Sequence, residues 1–523
     1  MSTTETSIEA GSLSQPTQPQ TSLRSVAVVT TLTGCQLLLQ FATQLVLAKY
    51  FGAAAEMDAY VSALAPPVVI ATILAGSLAY VLVPIVAQLR AAGDEGRAAA
   101  VVSQLGIWLA AISIAVTSIV AVAAEPLVAF LCPGFGADER QMTATLIRIL
   151  SPLILANTLI AYLNAVFHAY RRFAAPALAG VVGTIITLAY VLLLHEHQGI
   201  NAVGWGVVAG AATTVALLLP FFFKTFVRGR EGAVSAQPHF SRAVKLLLPL
   251  FIASLFWRLD PLLDRYLGSQ LATGSLAHMG YAWRIINALM LIGTSGLSVV
   301  AFPAIAAHAA ANRRHELSAE LAHAIRFFVY LMVPVCVGLA AFAQPVVSML
   351  FEHGRFTTAD ATAVALLVAL YVGAIFGAGL GDLLSRTFYA QHNTLAPVAV
   401  CAIVFALSAA LKFVLVGPYA AAGLVAATSA YYALNAGVLL VILLARLGPD
   451  MLAGTLREFG RAAIGTLAAC LVAGVVVRLP VPAAVLAAAA IAATTYVAVT
   501  WLMGDPFSQK LLRQLLIYSG VRD

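Results

Sequence analysis

Charge is what this sequence has least of. Only 10% of its 523 residues are Asp, Glu, Lys or Arg, and 61% are apolar, against about 25% and about 45–50% in soluble domains. That balance excludes a soluble globular chain. Cysteine is scarce too: Cys35, Cys132, Cys336, Cys401 and Cys470 form no C-x-x-C pair, and four of them lie inside apolar runs. Neither a disulfide framework nor a zinc site follows, and no metal or cofactor is expected. No Walker loop, catalytic triad or paired catalytic carboxylates are present, so the chain does not read as an enzyme. The net charge of +7 is not gathered into a basic face, which argues against a nucleic-acid partner.

What is present is a succession of apolar runs of the length a bilayer core requires, about 20 residues each. We read about fourteen: 26–48, 59–89, 98–124, 142–168, 174–194, 200–223, 243–267, 276–306, 321–343, 361–390, 395–416, 420–445, 458–478 and 481–503. Short alternating segments of the barrel type are not what these runs show. The expected fold class is an all-α polytopic membrane protein. Residues 1–22 are rich in Ser, Thr, Gln and Pro, with no Lys or Arg; they read as an uncleaved, disordered tail.

Basic residues fall unevenly between the connections. With the N-terminus cytoplasmic, the even-numbered connections and the tails hold about 20 of the 29. The positive-inside rule then puts both termini in the cytoplasm.

The chain also resembles itself. Leu78 and Pro84 recur as Leu297 and Pro303, and E-P-L-V-A-F-L from Glu125 recurs as Q-P-V-V-S-M-L from Gln344, both at an offset of 219. Phe167, Ala169, Ala175 and Pro176 recur as Phe388, Ala390, Ala396 and Pro397 at an offset of 221. Six spans per copy, an even number, give two parallel lobes related by an axis along the membrane normal, with a central site between them. The expected division is a first lobe over 23–230, a second over 231–450, and spans 13 and 14 with the tail over 451–523.

Polar groups inside apolar runs need a reason, since a mid-membrane charge costs at least about 2.5–3.5 kcal/mol. Arg284 lies about 12 Å into its span at 1.5 Å per residue. Its bidentate fork suits a pyrophosphate, and the alternative is a partner for Asp260 or Asp264. Arg258, Asp260 and Asp264 fall within two turns and read as an ion network inside one lobe. Gln36, Gln40 and Gln44 recur every four residues along one stripe, suited to sugar hydroxyls or to bridging helices. Asp58 is either the N-cap of span 2 or a gating contact. Arg148 and the pair Asp382 and Arg386 read as anchors near helix ends. His195 and His197, flanking Glu196, read as a solvated turn.

Several stretches resemble the MurJ (MviN) family of lipid II flippases: F-G-A-A-A-E-M-D-A-Y from Phe51, C-P-G-F from Cys132, and L-L-D-R-Y-L-G-S from Leu262. So do G-S-L-A-H-M-G-Y-A-W-R-I from Gly274, L-F-E-H-G-R-F-T-T-A-D from Leu350 and R-T-F-Y-A-Q-H-N-T-L-A-P-V from Arg386. They occur in family order over about residues 24–450. The resemblance implies the multidrug/oligosaccharidyl-lipid/polysaccharide exporter fold: two six-helix lobes in a V around a cationic cavity, with two C-terminal helices making a lipid-facing groove. It implies an inner-membrane flippase for an undecaprenyl-pyrophosphate-linked saccharide, working among membrane lipids, with cell-wall or polysaccharide synthases as partners; coupling to an ion or the membrane potential is left open by the sequence. Arg284 and Asp58 match family positions, whereas Leu37, Thr43 and Ala71 stand where lipid II flippases carry arginines. That departure points to a precursor other than lipid II. Its rivals are lipid II itself, a multidrug exporter of the same superfamily, and a membrane scaffold for polysaccharide synthesis.

Overall fold

The computed structural model describes residues 23–75, 78–226, 258–478 and 484–518. The tail 1–22, the lobe boundary near 230 and most of the seventh span, 243–267, lie outside the described residues. Helix dominates, as backbone in lipid must satisfy its own hydrogen bonds. The first half contains α1 (Leu23–Phe51), α2 (Ala55–Ala75), α3 (Leu78–Ala91), α4 (Glu95–Val122), α5 (Ala124–Leu131), α6 (Ala137–Leu150), α7 (Pro152–Ala169), α8 (Ala174–Gln198) and α9 (Asn201–Phe226). The second contains α10 (Asp260–Gly268), α11 (Ser275–Ala310), α12 (Arg314–Ala341), α13 (Ala343–Phe351), α14 (Thr358–Ala390) and α15 (Leu395–Leu447). A 3-10 turn, Pro449–Leu452, leads to α16 (Thr455–Val477), α17 (Ala484–Leu502) and α18 (Pro506–Tyr518).

Eleven described helical stretches are long and apolar enough to cross a bilayer. The chain is a multi-pass membrane protein. One of the eleven, α15, is two helices joined at a break, Ala420, whose backbone is non-helical. Expected span 4 is built from two helices, α6 and α7, meeting at Ser151. Three short helices, α5, α13 and α18, fall outside the expected spans; the first two occupy the E-P-L-V-A-F-L and Q-P-V-V-S-M-L copies.

The repeat is visible in the turns. Gly93 and Asp94 donate to Arg90 and Leu89, and 219 residues later Asn312 and Arg313 donate to Ala309 and His308. Arg171 and Arg172 donate to His168 and Phe167; at an offset of 221, His392 and Asn393 donate to Tyr389 and Phe388. The first residue of each such turn has positive φ: Gly93 76°, Asn312 54°, Arg171 56° and His392 58°. Even the helix starts agree, with Glu139 accepting from the Gly136 amide before α6 and Asp360 from the Thr357 amide before α14.

The largest apolar core bridges the two repeats at one end. Leu47, Phe51 and Tyr60 join Tyr281, Phe351 and Phe356 there. Tyr281 packs 5.3 Å from both Phe351 and Phe356, tilted on one and edge-on to the other, within the range aromatic pairs prefer.

Candidate functional site

Between the repeats lies a cavity of about 430 Å³. Tyr60, Leu64 and Val68 of α2 form one wall with Gln44 of α1, and Asp264, Arg265, Trp283, Arg284, Tyr371 and Tyr432 form the other. Its charged lining is three arginines, Arg258, Arg265 and Arg284, against Asp260 and Asp264. Trp283 and Tyr371 stand 5.4 Å apart, centroid to centroid. Guanidinium groups beside aromatic faces and a few amides suit an anion attached to a polar ring system.

The two aspartates are already taken. Lys412 reaches in from α15, fully buried, with Nζ 2.6 Å from Asp260 Oδ1 and 2.7 Å from Asp264 Oδ1. Such a cation is tolerable in an apolar wall only because two carboxylates meet it. The alternative expectation, Arg284 as partner of Asp260 or Asp264, is therefore corrected: Lys412 holds that place. Arg284 is exposed to the cavity and makes no salt bridge among the described residues. Arg258 lines the same cavity, so the expected network gains a lysine on another helix. Lys412 escaped the sequence reading although its signal was there, as the one Asp, Glu, Lys or Arg in the run 395–416.

The glutamine stripe divides. Gln44 is buried in the cavity wall, Gln36 packs against Gly180 of α8, and Gln40 is exposed outside the lining. Leu37 is exposed, whereas Thr43 and Ala71 are buried; Thr43 spends its hydroxyl on the Leu39 carbonyl.

Asp58 does not cap α2. Its carboxylate accepts the amides of Gly274 and Ala277, both at 2.6 Å, and so caps α11 in the other repeat, where an anion complements the positive end of the helix. This contact belongs to a seam closing one end of the cavity. There Tyr281 donates to the Gly52 carbonyl at 2.9 Å, the Arg355 amide donates to the Lys49 carbonyl at 2.9 Å, and the Gly134 amide donates to Ser269 Oγ at 3.3 Å. The fit depends on glycine. Gly274 and Gly354 have φ of 91° and 65°, and a Cβ on them would run into the carbonyls of Ala53 and Lys49.

A second, apolar cavity of about 500 Å³ runs between α12, α16 and α17. Pro334, Leu339, Ala473, Ala489 and Val497 line it, and Leu289 of α11 joins them. Leu289 lies five residues beyond Arg284 on the same helix, about 7.5 Å along the axis.

The remaining polar residues are tied locally. Arg148 meets Glu125 at 2.6 Å, Arg386 meets Asp382 at 2.9 Å, and His195 stacks 3.8 Å from Tyr50. Among the described residues no three His, Cys, Asp or Glu side chains could hold a metal ion together.

Comparison with known proteins agrees with this architecture. A family model described as lipid II flippase MurJ matches residues 47–507. The lipid II flippase MurJ of Burkholderia cenocepacia is 26% identical over 394 residues, 73% of this chain and 76% of that protein. A probable lipid II flippase MurJ of Thermotoga maritima is 26% identical over 400 residues, covering 74% and 78%. Among solved structures, a lipid II flippase MurJ in an inward closed conformation superposes with a TM-score of 0.78 at 20% identity, covering 93% of this chain and all of that one. An inward-facing multidrug resistance MATE family transporter superposes with a TM-score of 0.68 at 14% identity, covering 81% of this chain and 98% of the other.

Proposed function

Since the chain belongs to the MurJ family of lipid II flippases, we propose that it moves an undecaprenyl-pyrophosphate-linked saccharide from the cytoplasmic to the outer leaflet of a bacterial inner membrane by alternating access. The observation that carries this reading is Arg284, a permanent cation facing the cavity while the acids beside it are engaged by Lys412. Its fork takes the pyrophosphate. Trp283, Tyr371 and Gln44 offer ring faces and an amide to the sugars, and the groove between α12, α16 and α17 offers apolar walls to the prenyl chain. Leu289 brings that groove onto the helix that carries Arg284.

Alternation then means opening the seam around Asp58 while the opposite end closes. With both termini cytoplasmic, the seam is the outer gate and the cavity loads from inside. The lobes divide near residue 230, and Gln36 and Gln40 support α1 rather than touch substrate. Leu37, Thr43 and Ala71 favour a glycan precursor other than lipid II, supplied by synthases on the cytoplasmic face.

The test is Arg284→Ala beside Arg284→Lys. Charge-assisted bonds are worth about 1.5–3 kcal/mol each, so the alanine protein should lose at least about tenfold in glycan export while keeping its thermal stability in detergent. The lysine protein should recover part of it, keeping charge without the fork. A stable alanine protein with undiminished export would overturn the proposal.

A further inference from the structure

A third cavity, about 470 Å³, opens at the opposite end from the seam, where the α11–α12 turn, the α14–α15 turn and the last turn of α15 meet. It shares no lining residue with the central cavity. Arg313, Arg314, Arg446, His308 and His392 line it, and none of its described lining residues is acidic. Glu316, just beside it, stands 2.9 Å from Arg313 and 3.1 Å from His308. Arg314 and Arg446 have no carboxylate partner among the described residues. The Arg446 guanidinium lies 5.5 Å over the Phe388 ring, which fixes its place. Gln391 also lines the cavity, and its Nε2 is buried with no hydrogen-bond acceptor among the described residues.

The repeat makes this charge meaningful. The corner of the first lobe is built on the same turns, at offsets of 219 and 221, and there the first turn is tied by its own acids: Arg90 meets Glu95 at 3.0 Å, Arg97 meets Asp94 at 3.2 Å, and Tyr170 covers Arg90, while Arg171 and Arg172 of the second turn are exposed. Asp94 and Glu95 correspond to Arg313 and Arg314. Two acids in one lobe are two arginines in the other, on the same backbone, so the α11–α12 turn presents donors where the first lobe presents acceptors. Its depth fits a phosphate group, because helix ends lie at headgroup level and basic pockets between helices there bind anionic lipid headgroups.

We propose that the pocket at Arg313, Arg314, Gln391 and Arg446 binds the phosphodiester headgroup of an anionic phospholipid from the adjoining leaflet, apart from the transported substrate. The test uses the full-length protein, purified in detergent and then mixed with phosphatidylglycerol or phosphatidylcholine, with bound lipid counted by native mass spectrometry. Phosphatidylglycerol should be retained in preference. The double substitution Arg314→Gln and Arg446→Gln should lower that retention by about fivefold or more, equivalent to about 1 kcal/mol. Arg97→Gln in the first lobe and Arg284→Ala in the central cavity should leave it unchanged. Both pocket residues are exposed, so the double variant should keep its elution profile and melting temperature without lipid. Equal retention of the two lipids, or no loss in the double variant, would overturn the proposal. Displacement of phosphatidylglycerol by millimolar inorganic phosphate, with equal thermal stabilisation by phosphate alone, would keep the anion site but overturn the lipid as its ligand.

Discussion

Asp58 and Ala277 stand 219 residues apart, the offset of the sequence repeat, and they are hydrogen-bonded to each other, the carboxylate accepting the amide at 2.6 Å. Residues that correspond under a two-fold relation can touch only where they lie beside its axis. The axis relating the lobes therefore passes through the seam between α2 and α11, and the contact is asymmetric: one copy supplies an acid, the other the bare start of a helix.

Removing that acid should loosen the closed end. Asp58→Ala leaves two amides of α11 without a partner, a loss of about 1–2 kcal/mol. We expect a lower melting temperature in detergent, together with faster maleimide labelling of a cysteine placed at Met279 in the cavity. Unchanged values of both would refute the seam as a gate.

Lys412 gives the sharpest stability prediction. Lys412→Met leaves Asp260 and Asp264 facing each other without a cation, and breaking a buried pair costs about 3–5 kcal/mol. Expression and melting temperature should fall markedly. Adding Asp260→Asn and Asp264→Asn should restore much of both, whereas failure of the triple variant to recover would mean that Lys412 acts by its packing alone.

The break at Ala420 is paid for by an alanine where the first lobe uses glycine. Ala420 has φ 49° and ψ −131°; Gly199, 221 residues earlier, has φ 56° and ψ −138°. A side chain in that region costs about 1–3 kcal/mol, so Ala420→Gly should raise the melting temperature. A decrease would show that the alanine methyl packs well enough to offset the strain.

Orientation is open to direct measurement. In a cysteine-free background, single cysteines at Asp138 and Glu196 should react with an impermeant maleimide added outside spheroplasts. Those at Arg172 and Asp450 should react only after lysis. The reverse pattern would turn the cavity and its gate around.

The membrane class and the parallel repeat were legible because apolar length and repetition are properties of the chain itself. The break within α15 falls at the junction of two expected spans, 395–416 and 420–445, where Gly417 and Pro418 precede Ala420. Legibility stopped where contacts cross between distant segments. The role of Asp58 could not be read from α2, since its partners come from a loop 216 residues away. Lys412 was overlooked for the same reason: its meaning lies in two aspartates on another helix, and in the sequence it is one lysine in a long apolar run. The glutamine stripe is regular in the sequence, but a helix meets different surroundings at every turn, so Gln44 lines the cavity, Gln36 packs on α8 and Gln40 is exposed.

At the seam, every contact has main chain on at least one side: the Arg355 amide on the Lys49 carbonyl, the Tyr281 hydroxyl on the Gly52 carbonyl, the Asp58 carboxylate on the Gly274 and Ala277 amides, and glycines where a methyl would collide. None of its partners is Leu37, Thr43 or Ala71. Substitutions at Leu37, Thr43 or Ala71 should therefore leave the closure itself intact, whatever the cavity carries.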